Sequence, residues 1–169
     1  HLEASREPLA AEIAQARDGE GLTAARLDAV VDPYARAVFD DSELPVYGAG
    51  FIAAIDLVSD AHTHLSWWQG AERRKLVLAA QSVNKERIDY SELEWYRVPE
   101  GSGKTHVAGP YVDYLCSDEY TITIASPVTI GEQFAGVAAF DLLIDVVERE
   151  LLPLLDGPGA DVTLVNGVD

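Results

Sequence analysis

The sequence predicts an α+β fold, and three observations carry that prediction. Apolar residues recur at helical spacing up to Phe39; from Val46 the texture changes to short, glycine-interrupted apolar runs of strand type; and a further helical pattern returns at Asp145. No βαβ alternation and no glycine fingerprint of a dinucleotide-binding fold occurs, so the strands are expected to be mostly antiparallel.

Along the chain, Glu3 to Ala16 reads as helix because Leu9 and Ile13 stand at i, i+4 among charges, and the cluster Asp18-Gly19-Glu20-Gly21 ends it. Thr23 is a suitable N-cap for a second helix carrying Leu27, Val30, Val31 and Tyr34 to Phe39, with Pro33 a possible kink. Asp40 to Pro45 is a turn. Val46 to Val58 reads as strand, His62 to Gln69 as a short aromatic segment, and Lys75 to Ser82 as apolar and of either type. Tyr120 to Ile124 alternates, with Tyr120, Ile122 and Ile124 on one face and Thr121 and Thr123 on the other. A hairpin around Gly131-Glu132 returns the chain through Phe134 to Asp141, a helix follows from Asp145 to Leu155, and Ala160 to Asn166 reads as a last strand.

Composition narrows function. The 169 residues suit one core-forming chain, read as a helical region over 1–44 leading into a ligand-binding region over 45–169. With 12 basic and 29 acidic residues the net charge is −17, a field that repels nucleic acid and anionic membrane surfaces and favours cationic small molecules. The single Cys116 excludes an internal disulfide and a cysteine zinc cage. No apolar run is long enough to span a bilayer, and the start at His1 reads as that of a domain excised from a longer protein.

The stretch Glu94 to Tyr114 contains Gly101-Ser102-Gly103-Lys104-Thr105, which imitates a phosphate loop. The pattern requires a glycine where Val98 stands, and a helix where His106 to Pro110 follows, so it fails on spacing and on context. Pro99 to Gly103 is expected instead to be a polar turn between two extended, aromatic-rich arms: Trp95, Tyr96 and Arg97 before it, Tyr111, Asp113 and Tyr114 after it. Such rings either wall a small-molecule pocket or pack as core, and Arg97 either reaches a ligand carboxylate or solvates the surface.

Gly136 to Asp145 holds the strongest local signal. Strand periodicity puts Ala135, Val137, Ala139 and Asp141 on one face and Phe134, Gly136, Ala138 and Phe140 on the other. A carboxylate at the end of a face of small side chains either anchors a ligand's amine or hydroxyl, or caps the next helix or pairs with an arginine. His62 and His64 share one strand face but lack an evident third ligand, so no metal is expected. Ser66, Ser126 and Cys116 lack the local signatures of a nucleophile, so no catalytic set and no cofactor is assigned.

In order, Glu94-Trp95-Tyr96, Gly109-Pro110-Tyr111-Val112-Asp113, Tyr120-Thr121-Ile122-Thr123 leading to Ser126-Pro127-Val128, and Gly136-Val137-Ala138-Ala139-Phe140-Asp141 follow a family pattern. Through them the segment from Tyr47 to Leu155 resembles a Cache domain, the PAS-like sensor module of bacterial receptors. The resemblance implies a curved antiparallel sheet flanked by a long N-terminal helix and a late C-terminal helix. It implies a non-catalytic domain that binds a small metabolite and signals to an output domain in the same full-length chain, with a homodimer as a possible assembly. Trp95, Tyr96, Tyr111 and Asp141 match pocket positions. Amino-acid-sensing members carry an arginine two residues before the tryptophan; here that position is Leu93, so Arg97 is the candidate to take a carboxylate from another angle. An amine, amino-acid-like or hydroxylated ligand is expected, with an organic acid, or a protein-interaction or dimerisation module without a metabolite, as the alternatives. An extracytoplasmic position in a membrane receptor is expected, the alternative being a cytoplasmic regulator.

Overall fold

The computed structural model describes residues 2–18, 21–77 and 89–155, and the strand expected over Ala160 to Asn166 lies outside them. Two helices come first, α1 (Leu2–Asp18) and α2 (Ala24–Asp41), followed by strands β1 (Val46–Ala53), β2 (Leu65–Gln69) and β3 (Arg74–Lys75). Helix α3 (Glu94–Ser102), strands β4 (His106–Val112), β5 (Tyr120–Ile130) and β6 (Gln133–Leu143), and helix α4 (Ile144–Leu155) complete the order. The strands form one antiparallel sheet ordered β3-β2-β1-β6-β5-β4. This is the α+β architecture expected from the sequence.

Helices α1 and α2 cover one face of the sheet. Leu9 and Ile13 of α1 and Leu27, Val31 and Ala35 of α2 lie one turn apart and are buried against Ala49, Phe51, Trp68, Val128 and Ala138. Each fully buried aliphatic side chain here contributes about 1.5–3 kcal/mol of transfer free energy. Thr23 caps α2 as expected, its hydroxyl accepting the Arg26 N–H at 3.3 Å, and the helix continues through Pro33 to Asp41. The opposite face of the sheet carries a second core of Ile52, Leu65, Trp67, Ala108, Ala125, Val137 and Ala139 under α3.

The aromatic-arm hairpin does not form. Glu94–Ser102 is a helix, so Trp95 and Tyr96 come from α3 and only Tyr111 comes from a strand. Trp95, Tyr96 and Pro99 fall on its one buried side, and Gly103, at φ 66°, ends it in the left-handed conformation that glycine adopts without strain. The helix precedes the glycine-lysine stretch instead of following it, which also removes the geometry a phosphate loop requires.

Three register shifts interrupt the described sheet, one of them between Val46 and Gly48 on β1, and the other two decide which side chains reach the α3 side. Thr129 pairs with Phe134 and Val128 with Gly136, so Ala135 is an extra residue on β6. The faces expected for Phe134 and Ala135 are therefore exchanged: Ala135 packs against the N-terminal helices and Phe134 against the α3 side, while Val137 and Ala139 keep the α3 side as expected. On β4, Ala108 pairs with Thr123 and Tyr111 with Thr121, three residues of advance against two, which brings Tyr111 to the face that Ala108 occupies.

Candidate functional site

The α3 side of the sheet is where polar side chains enter an apolar core. Register places Gln69 of β2, Gly48 of β1, Asp141 of β6 and Thr123 of β5 in one row across four strands. The floor of a cleft is formed there by Thr123 and Asp141. Its walls are Ile52, Leu65, Trp67 and Trp95, and Tyr111, Asp113 and Cys116 close the β4 end. The atom-free space, open mouth included, is about 260 Å³, but the part wide enough for the centre of a water molecule is only about 10 Å³. As it stands the cleft therefore holds about one water, and a metabolite enters only with movement of its walls.

Asp141 is the electrostatic centre of this cleft. Its side chain is buried, and the hydroxyl of Thr123 donates to Oδ1 at 2.6 Å. Tyr111 Oη lies 2.6 Å from Thr123 Oγ1; because the threonine proton goes to Asp141, the tyrosine donates to the threonine. Burial pushes the Asp141 carboxyl up to about 8, the Thr123 bond opposes that rise and the nearby Asp113 carboxylate adds to it. Tyr111 is likewise pushed above its ordinary value, first by burial and then by the Asp141 charge. Among the described residues Asp141 pairs with no arginine, and its side-chain bond goes to Thr123.

Asp113 is occupied differently. Its Oδ1 accepts the N–H groups of Leu115 and Cys116 and its Oδ2 the Ser117 hydroxyl at 3.2 Å, so it folds the β4–β5 loop while adding negative potential at the cleft. Tyr47 lies near the same carboxylates: its hydroxyl is pushed up by burial first and then by Glu119, Asp113 and Asp141.

Of the site residues expected from sequence, Trp95, Tyr111, Asp113 and Asp141 are brought together around this cleft, and two are not. Tyr96 is buried in an aromatic cluster, 5.3 Å from Tyr90 and edge-on to Phe134 at 5.4 Å, because α3 turns it into the core. Arg97, the next residue on the helix, rotates out to solvent and does not line the cleft, so its expected contact with a carboxylate has no geometric basis here. Leu93, where amino-acid sensors carry arginine, caps α3 without a side-chain bond.

Sequence reasoning assigned no role to Trp67, which is 2% exposed and lines the cleft with its indole Nε1 unpartnered. The signal was present in β1: Gly48 and Gly50 alternate on the cleft face, and a Cβ on Gly48 would stand 2.9 Å from Trp67 Nε1. A pair of glycines at strand spacing makes room for a large neighbour to lean across them. His62 and His64 diverge: His62 meets Asp56 at 2.7 Å at the surface, and His64 meets Asp28 at 2.9 Å. Among the described residues no cluster of three metal-ligating side chains forms.

The fold recurs in known receptor domains. Residues 74–148 match the family described as the first PDC sensor domain of methyl-accepting-chemotaxis-protein-like receptors. The extracellular domain of an assigned histidine kinase, soHK1S-Z6, superimposes with a TM-score of 0.63 at 17% identity over 89% of this chain and 55% of that one. The fold is that of a Cache-type sensor domain. The ligand-binding domain of the Pseudomonas aeruginosa PAO1 amino acid chemoreceptor PctC, solved with GABA, aligns with a TM-score of 0.53 at 16% identity over 90% of this chain and 62% of that one. The methyl-accepting chemotaxis protein PscA of Pseudomonas syringae pv. tomato is 38% identical over 66 residues, 38% of this chain and 10% of that protein. The chain thus spans just over half of the solved domains and a tenth of the curated receptor it matches. Among the described residues no helix is long and apolar enough to cross a membrane.

Proposed function

We propose that this Cache-type domain is the ligand-sensing part of a bacterial receptor, facing the extracytoplasmic side, and that it takes a small amine-bearing or hydroxylated metabolite into the cleft between α3 and the sheet. The observation that carries this reading is Asp141: a buried carboxyl at a cleft floor with one side-chain hydrogen bond, in a cleft whose described lining includes no cationic side chain. Trp95 and Tyr111 supply the aromatic walls, and Asp113 reinforces the negative potential. The matched receptors are chemotaxis proteins and histidine kinases, and one related domain binds GABA, a molecule with an amine end, which supports the same class. A narrow empty cleft that widens around its guest gives the ligand a differential affinity for two conformations, which is what a signal to an output domain requires.

A thermal-shift screen of amines, amino acids and organic acids tests the reading. At one hundred times Kd a specific ligand stabilises by about 2.7 kcal/mol through mass action, a shift of several degrees. Asp141→Ala is expected to fold and to lose the response to amines. An unresponsive wild type, or an Asp141→Ala protein that still responds, overturns the proposal.

A further inference from the structure

Two buried side-chain atoms among the described residues lack a hydrogen-bond partner, Trp67 Nε1 and Gln69 Oε1, and both belong to the cleft face of β2. Such orphans are uncommon in native interiors and call for an occupant. Trp67 borders the cleft, its indole edge lies over Gly48, and Gly48 is the register partner of both Gln69 and Asp141. The indole N–H therefore lies over the strand residue directly paired with Asp141. Gln69 is held by its other end, Nε2 donating to the Cys116 carbonyl at 2.9 Å, while its Oε1 is buried without a donor; Cys116 itself lines the cleft.

We infer that Trp67, with Gln69 beside it, is a specificity-determining position that receives a hydroxyl on the end of the guest remote from Asp141, so that the ligand is a short amino alcohol. The inference rests on the amine reading of Asp141 and extends it. A hydroxyl is the group that both accepts from an indole N–H and donates to an amide oxygen. A carboxylate would offer no proton to Gln69 and would sit among Asp113 and Asp141 with no cation in the described lining. A plain alkyl end would leave both orphans unpaired, a cost that a matched hydroxyl removes. Gly48 is part of the device, because a Cβ there would displace the indole.

Three probes of similar length separate the possibilities at pH 8.5: 3-aminopropan-1-ol, 1-butylamine and GABA, titrated calorimetrically into wild type and Trp67→Phe. Aminopropanol is expected to bind wild type about tenfold more tightly than butylamine, one neutral hydrogen bond's worth of preference. Trp67→Phe keeps an aromatic side chain and loses the N–H, so it should erase the preference for aminopropanol over butylamine, whatever the change in the affinity for both. The wild-type indole N–H resonance of Trp67 gives a readout independent of how well the variant folds: it should move downfield with aminopropanol and stay in place with butylamine. If butylamine or GABA binds wild type as well as aminopropanol, or the resonance ignores both amines, the hydroxyl assignment is overturned while the amine reading stands. If no amine binds wild type at all, both fall together.

Discussion

Two aspartates on opposite faces of the sheet show how one side chain can be made structural or poised. Asp28, on α2, is a hub: its Oδ1 accepts the Ser66 hydroxyl at 2.9 Å and meets His64 Nε2 at 2.9 Å, and its Oδ2 accepts from Lys75. Burial alone would raise its carboxyl, but the bonds from Lys75, His64 and Ser66 outweigh that and hold it below the ordinary carboxylate value. Among the described residues Asp141 receives only the Thr123 hydroxyl, and burial wins, pushing it up to about 8. The difference is the number of donors supplied to each carboxyl. A carboxylate whose lone pairs are filled by its own chain holds elements together, whereas one left short of donors is ready for a donor from outside.

The largest effect that tests this contrast is expected at Asp28. Asp28→Ala leaves Ser66, His64 and Lys75 facing a gap between α2, β2 and β3. Removing one member of a half-buried polar network costs about 2–4 kcal/mol. Urea denaturation should show that loss with an unchanged slope, and a loss below about 0.5 kcal/mol, the level of a surface substitution, would mean the hub is ornamental.

The second test uses the opposite signs of the two groups. An acid raised from 3.8 to about 8 keeps its proton in the folded state where the unfolded chain has released it, so its contribution to stability falls as pH rises from about 4 to about 8. Asp28, depressed, contributes stability above its unfolded value that is lost as pH falls. Asp141→Asn should therefore gain on the wild type steadily as pH rises from 5 to 8. Denaturation curves at several pH values check this, and a gain that grows toward low pH would reverse the assignment.

How much of this was legible in the sequence depends on how local the determining interaction is. Thr23 announced α2 because a cap needs only its own next turn, and Leu9 with Ile13 announced α1 for the same reason. Asp141 and Tyr111 were marked by their strands and by the family pattern. Helix α3 was misread because Pro99, Gly101 and Gly103 carry turn chemistry, whereas burial of Trp95 and Tyr96 against β4–β6 decides in favour of a helix. That contact is tertiary and leaves little local trace. The Ala135 bulge was equally silent, since one extra residue in a ladder is set by pairing with Val128 and Thr129 and not by composition. Trp67 went unassigned because its orientation depends on Gly48, a neighbour across the sheet.

The smallest expected effect is the most discriminating, because it moves Asp141 without touching it. Thr123→Val keeps shape and removes the hydroxyl that donates to Asp141 at 2.6 Å and receives Tyr111. One neutral bond and one orphaned phenol together cost about 0.5–1.5 kcal/mol at pH 6. The Thr123 bond is what restrains the rise of the Asp141 carboxyl, so without it the pH at which the domain sheds that proton should move further up. Tyr111→Phe breaks only the outer link, leaves Thr123 on Asp141, and should shift that midpoint less. A carbon-13 titration of the Asp141 carboxyl distinguishes the two variants from wild type. A downward midpoint in Thr123→Val would show that another donor on this face, not Thr123, sets the charge at the floor of the cleft.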